Sequence, residues 1–308
     1  MRVVVTSEFH YRATARGAMV DGKCDYAYWA QLLAVFDEVQ VFARLAPGDQ
    51  TPTMQPVEGP GVSVIAAPDF VGTRGLVPAL PGLAVAARRA VARGDAFLLH
   101  APGVMASVLR PALVARGRRY GVEVVGDPQE ALVGAGRVLS ALRGVAARDL
   151  RSIVAGACAT RYVTRTQLQR LYPPRAGTPS FAISDAYIPD AVVAGPGAVI
   201  TDESVLALGF VGALFRPYKG LDVLLEAMAV GLPALATAVG GVPELLDAEE
   251  LVPVEDAAAL AQAIDRLAAD PARRRRLAAA NRAKVACYAA TPAQAEMRRF
   301  FRAIRDAG

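Results

Sequence analysis

Two short stretches combine residue types that bind phosphate. In GFVGALFRPYKG (209–220) an apolar run ends at Gly212, and the following turn offers Arg216 and Lys219 where a helix is predicted to begin. Backbone N–H groups at a helix N-terminus, joined by two cations, suit a diphosphate. The same letters also describe an ordinary strand–helix turn with two solvated cations, and spacing alone leaves both readings open. In GGVPEL (240–245), Gly240 and Gly241 precede Pro243 at a first helical position and Glu244 in the first turn. Those glycines either let a ligand approach the backbone closely or simply make a well-capped turn. The two histidines, His10 in SEFHYR and His100 in LLHAPG, each stand at the carboxyl end of a predicted strand, where an acid–base group or a structural hydrogen-bonder belongs. Asp127, in GDP, faces the same rim as a site residue or a turn cap.

The elements that must position these groups alternate in type. Strands are predicted at 2–6, 38–45, 62–68, 96–102, 122–128, 161–165 and 180–185, with helices over 26–36, 77–93, 103–119 and 136–156. Such alternation indicates a parallel sheet covered on both faces. Ligands then sit beyond the carboxyl ends of the strands, which makes the loops 7–25, 100–104 and 126–131 a candidate site. A segment rich in Pro, Gly and Asp at 186–203 reads as an interdomain linker. A second series follows, with strands at 204–212, 233–238 and 251–254 and a helix from Lys219 carrying Leu221, Leu224, Leu225 and Met228 at helical spacing. Asp270 before Pro271 marks a helix start, Thr291, Pro292 and Gln294 form a capping-box pattern, and Met297, Phe300, Phe301 and Ile304 make one apolar stripe.

Length and composition bound the function. The chain of 308 residues has room for about two domains of roughly 150 residues. Its net charge of +5 is carried almost entirely by Arg, since Lys occurs only at Lys23, Lys219 and Lys284. That skew fits a GC-rich bacterial genome, and the spread-out charge reads as solvated surface rather than a nucleic-acid face. Cys24, Cys158 and Cys287 are far apart, which points to free thiols in a reducing compartment and to no zinc site. Met1 leads straight into RVVVT, with no charged and apolar leader and no spanning helix predicted, so a cytoplasmic protein is expected.

Taken together, GFVGALFRPYKGLDVLLEA (209–227) and EAMAVGLPALATAVGGVPELL (226–246) resemble the C-terminal donor domain of retaining GT-B glycosyltransferases, family four. The resemblance covers about 204–255, while the first 200 residues match only in general plan. It implies an α/β GT-B fold of two Rossmann-like domains with parallel sheets: an acceptor domain over 1–190, a shortened nucleotide-sugar donor domain over 204–290, and a helix at 291–308 packing back on the first. It implies retention without metal and no cofactor beyond a nucleotide-sugar co-substrate of unknown base. Lys219 and Arg216 would neutralise the donor diphosphate, Glu226 would accept hydrogen bonds from ribose hydroxyls, and Gly212, Gly240 and Gly241 would give close backbone approach. His100 falls where the family often has a catalytic-site His, and His10 falls in the loop that contacts acceptor or donor. The implied acceptor is a growing polysaccharide or a lipid-linked glycan. The Arg88/Arg89/Arg93, Arg116/Arg118/Arg119 and Arg137/Arg143/Arg148/Arg151 clusters read either as solvated helix faces or as peripheral contacts with an anionic inner membrane face.

Three departures stand out. Ala213 occupies the position where the family places its diphosphate Arg, and Tyr218 stands eight positions before Glu226, where a first glutamate is expected. One LLEAMA copy (224–229) also serves two family helices that normally flank several strand–helix units, as an internal deletion would leave it. The alternative function is therefore a catalytically impaired relative with a binding or scaffolding role.

Overall fold

In the computed structural model, residues 1–131, 141–186, 188–195 and 221–308 are described. They divide into two compact units, one of Met1–Val163, Leu168–Phe181 and Met297–Gly308, the other of Thr164–Gln167 and Ala182–Glu296.

The first unit is built on a sheet of nine strands among the described residues. These are β1 (Arg2–Thr14), β2 (Gly17–Asp21), β3 (Glu38–Pro47), β4 (Met54–Pro56), β5 (Val62–Ala67), β6 (Ala96–Ala101), β7 (Gly121–Val124), β8 (Ala159–Tyr162) and β9 (Ser180–Ala182). Six of them pair in parallel, in the order β5-β3-β1-β6-β7-β8. Counted along the chain this is 3-2-1-4-5-6, a doubly wound sheet whose order reverses between β1 and β6. Helices α2 (Gly72–Arg93), α3 (Val104–Val114) and α4 (Arg143–Ala155) cover one face. Leu83, Ala87, Leu109, Leu113, Leu150 and Ile153 pack there on Phe97, Leu99 and Val122. The short α1 (Tyr26–Ala30) is capped by Asp25, which accepts from the Tyr28 N–H at 3.0 Å, and it buries Trp29 completely. It runs into a 3-10 turn at Gln31–Ala34, so the helix predicted over 26–36 is shorter.

The stretch predicted as a loop from residue 7 is instead the continuation of β1 to Thr14, returning antiparallel as β2. Tyr11 anchors this extension: its side chain is fully buried and its hydroxyl bonds Ser7, while His10 and Arg12 on either side are exposed. Register slips between Ser7 and His10, a bulge that lets Glu8 and His10 point to different partners. His10 therefore stands in a strand, opposite Arg44.

In the second unit the described strands are β10 (Ala236–Thr237) and β11 (Leu251–Val252), paired in parallel. Helices α5 (Leu221–Ala229), α6 (Ala257–Ala269) and α7 (Pro271–Val285) surround them. The core joins Leu225, Met228 and Ala229 to Leu245, Leu246, Val285 and Ile188. Asp270 caps α7 as its Asp-Pro pair predicts, accepting from the Arg273 N–H at 2.9 Å. Ile188 belongs to this core and bridges to Ala289, so the second unit begins at Ala182, before the Pro/Gly/Asp-rich segment predicted as a linker. The last helix, α8 (Ala290–Arg305), starts one residue before the predicted Thr291 cap, because Ala290 already donates to the Ile188 carbonyl at 2.9 Å. Thr291 bonds Asp190 instead. Residues 297–308 belong to the first unit, where Phe300, Phe301 and Ile304 are buried; a Cβ on Gly121 would overlap Ile304. The predicted strand 204–212 lies outside the described residues.

Candidate functional site

In a doubly wound sheet the natural ligand position is the crevice at the reversal point, here between the carboxyl ends of β1 and β6. The N-terminus of α3, the usual place for a phosphate, opens onto it. In this chain that position is filled by the protein. Glu8 Oε1 accepts from the Met105 N–H at 2.6 Å, and a Cβ on Gly103 would overlap the Glu8 carboxylate. Burial pushes the Glu8 carboxyl above the usual range, against the helix N–H groups and the Arg44 cation, which lies 3.6 Å away. The first unit thus satisfies its own anion-binding helix end, and a diphosphate has no place there.

Around this point the structure sets out the two histidines differently. His10 is exposed, and its Nδ1 lies 2.7 Å from Asp69 just beyond β5, an arrangement that leaves Nε2 free of that contact. His100 is enclosed. Its ring stacks on Trp29 with centroids 5.6 Å apart, its backbone N–H is held by Thr6, and its Nε2 lies 3.0 Å from Glu123. Glu123 in turn pairs with Arg161, both almost fully buried. The sheet places these three side by side, since His100 pairs with Glu123 on β7 and Glu123 with Arg161 on β8. Burial, then the Arg161 charge, push the His100 imidazole down to about 3, against the attraction of Glu8. His100 is therefore a neutral hydrogen-bonding group at physiological pH, not an acid. His10 and His100 have no side-chain partner in common among the described contacts. Asp127 accepts from the Gln129 N–H and the Tyr172 hydroxyl, the turn-capping one of its two predicted roles.

Glu8, Asp69, Glu123 and Arg161 were not singled out by the sequence reading. Glu123 and Arg161 carried a usable signal, a single charge inside each of two apolar strands, VEVV and ATRYV. Glu8 and Asp69 carried none, because only the bulge and the end of β5 bring them into the site.

In the second unit, α5 is anchored by Leu225 and Met228 and turns Glu226 outward to solvent. The same core holds Leu245 and Leu246, and so fixes the turn at 240–244 relative to that helix. Gly240 adopts φ +52, the left-handed conformation that favours glycine. Beyond it Pro243 sits in a 3-10 turn over Val242–Glu244. Glu244 accepts from the N–H groups of Arg165, Thr166 and Gln167 at 2.6, 3.0 and 2.6 Å and from the Thr166 hydroxyl at 3.0 Å. Burial works against its ionisation, but those hydrogen bonds outweigh it and hold the carboxyl below the usual range. Gly241 lies against Thr164, whose methyl would be 3.4 Å from a Cβ placed there. At the carboxyl ends of β10 and β11 a recess of about 250 Å³ is lined by Thr237, Val252, Pro253, Glu255, Asp256 and Leu260. Gly212, Arg216, Tyr218 and Lys219 lie outside the described residues. No three His, Cys, Asp or Glu side chains converge as a metal-ligand set among the described residues.

Comparison with known proteins bears on both units. Residues 222–284 match the family model of glycosyl transferases group 1. Over 69 residues the chain is 45% identical to the colanic acid biosynthesis glycosyltransferase WcaL of Escherichia coli, a match covering 21% of this chain and 17% of that protein. Among solved structures, a sucrose-phosphate synthase from Thermosynechococcus elongatus superimposes with a TM-score of 0.65 at 18% identity over 100% of both chains. HepE from Anabaena, solved with UDP-glucose, gives 0.54 at 13% identity over 96% of this chain and 98% of its own.

Proposed function

Taking as premise that this α/β chain has the GT-B fold and carries a glycosyl transferases group 1 segment at 222–284, we propose that it is a nucleotide-sugar-dependent glycosyltransferase. The observation that carries the assignment of roles is that Glu8 fills the helix-end position of the first unit, while the second unit presents the exposed Glu226 and the Gly240–Gly241 turn inside the matched segment. The donor accordingly belongs to the second unit and the acceptor to the first. Glu226 accepts from the ribose hydroxyls of the donor. Lys219 and Arg216 neutralise the diphosphate and the charge developing on the leaving group, which makes a metal unnecessary.

On the acceptor unit His10, held by Asp69, is the group able to handle a proton, and His100 offers hydrogen bonds only. The acceptor is a glycan or a lipid-linked glycan, which would bring the protein to the inner face of the membrane, and transfer proceeds with retention. Tyr218, in place of a first donor glutamate, favours a second reading in which the chain binds without turnover.

The deciding experiment is thermal unfolding with UDP, GDP and ADP. A ligand present at 100 times its Kd adds about 2.7 kcal/mol. A rise with one of the three, followed by sugar transfer from the matching donor, supports the enzyme. A rise without transfer supports the binding protein, and no rise with any of them removes the donor assignment.

A further inference from the structure

By capping α3, Glu8 also decides what can still enter the crevice between β1 and β6. Its Oε1 takes the Met105 N–H at 2.6 Å, the donor that an incoming anion would need. Its Oε2 faces Arg44, which at 3.6 Å stands beyond hydrogen-bond distance. The Glu8 side chain keeps 32% of its surface exposed, against 10% for Arg44. A carboxylate oxygen has two lone pairs, so a rigidly held acceptor is presented to the crevice. The second polar group there is His100, whose backbone N–H is held by Thr6, two residues before Glu8. Its ring stacks on Trp29 and donates through Nε2 to Glu123, yet 13% of the side chain remains exposed. In a neutral ring with its proton on Nε2, Nδ1 is an acceptor, and it has no partner among the described residues. The two groups are close enough that the Glu8 charge acts on the imidazole.

The charges around this pair of acceptors are already balanced. Arg44 stands beside Glu8 and Arg161 beside Glu123, and these arginines are only 8% and 2% exposed. Asp69, which also acts on Arg44, pairs with His10. An anion entering here finds the α3 donor taken and a carboxylate facing it. An ammonium group meets Glu8 but must stand beside the Arg44 guanidinium. Hydroxyl groups satisfy both acceptors and bring no charge.

We infer that the crevice between β1 and β6 is a subsite for an uncharged sugar, whose hydroxyls donate to Glu8 Oε2 and His100 Nδ1. The inference rests on the reading of the first unit as the acceptor side, and it narrows the acceptor. The sugar that enters here carries free hydroxyls, not phosphate or carboxylate, at the positions that meet these two residues. Glu8 is then a binding residue as well as a helix cap: one oxygen fixes it to α3, and that fixity aims the other.

The test is saturation-transfer NMR on the full chain, without nucleotide, using the methyl glycosides of glucose, galactose, mannose and fucose. At about 10 mM each, binding with a Kd near 1 mM is detected. Transfer to at least one glycoside is expected, and inorganic phosphate at about 10 mM should not displace it. Glu8→Gln keeps an oxygen for the Met105 N–H but puts a donor where Oε2 was, and should weaken binding about ten-fold or more. Unchanged far-UV circular dichroism and melting temperature verify that this variant folds. A second measurement needs no variant: the bound glycoside should shift the ¹⁵N resonance of His100 Nδ1 and the amide of Met105 in the parent protein. Absence of transfer to every glycoside overturns the inference, as does displacement by phosphate, tighter binding of methyl glucosaminide than of methyl glucoside, or equal binding by Glu8→Gln. Shifts confined to other residues do so as well. The nucleotide melting experiment uses no sugar, so a nucleotide rise without glycoside binding removes this subsite alone, and loss of the rise removes the donor assignment alone.

Discussion

The Nε2 of His100 lies 3.0 Å from Glu123, the residue opposite it on the neighbouring strand, and Glu123 pairs with Arg161, the residue opposite on the strand after that. Three ionisable side chains thus form a cross-strand row at the carboxyl ends of β6, β7 and β8. The Glu123 carboxylate accepts a hydrogen bond from the imidazole, which fixes Nε2 as a protonated nitrogen, while burial and the Arg161 charge keep the ring neutral.

That neutrality has a pH signature. The unfolded chain protonates His100 near 6.5, the folded one only near 3, so between these values the unfolded state holds more protons. Stability should therefore fall as pH drops from about 6.5 towards 3, by up to about 1.4 kcal/mol per unit from this group. Glu8, raised by burial, acts with the opposite sign just above its ordinary value of 4.5. His100→Gln isolates the imidazole: its melting temperature should depend less steeply on pH between about 6.5 and 4.5 than that of the parent. Identical slopes would contradict the enclosed, neutral ring.

Breaking the row should cost more than removing it. Arg161→Met leaves Glu123 buried beside a neutral ring and is expected to lower stability by about 3–5 kcal/mol. Glu123→Gln/Arg161→Met removes both charges and should recover part of that loss. Urea unfolding of the two variants decides the matter, and a double variant no better than the single one counts against the pairing.

Glu244 is predicted to act on backbone rather than on ligand. Glu244→Ala should remove the acceptor of three consecutive N–H groups at 165–167, destabilise the second unit by about 2 kcal/mol, and speed amide exchange at Arg165, Thr166 and Gln167. Because the carboxyl is held low, its contribution is present above its ordinary value of 4.5 and lost as pH falls through the lower folded value. Unchanged exchange at those three amides is the result that would refute this role.

Glu226 should behave in the opposite way. It is exposed on a helix whose inner face carries the packing, so Glu226→Ala ought to change the melting temperature of the free protein by no more than about 0.5 kcal/mol in equivalent stability. The increment given by the nucleotide that stabilises the parent should shrink markedly. An undiminished increment would exclude Glu226 from the donor site.

What the sequence determined by itself is the local grammar. Apolar β-branched runs set the parallel strands, Asp270-Pro271 marked a helix start, the spacing of Leu225 and Met228 fixed the buried side of α5, and the EAMAVGLPALATAVGGVPELL stretch carries the resemblance that the glycosyl transferases group 1 model matches at 222–284. Each depends on period or on a contact within a few residues, which a linear reading contains. The tertiary structure alone decided which polar groups meet. A register slip after Ser7 brings Glu8 to the end of α3, ninety-odd residues away, and leaves His10 beside Asp69. Strand pairing turned two scattered charges and a histidine into one buried row. Packing of Leu83, Ala87 and Ala90 on the sheet left Val77, Leu80 and Val85 of α2 facing outward. Such long-range juxtapositions follow from how strands order and align, and no spacing in the chain encodes them locally.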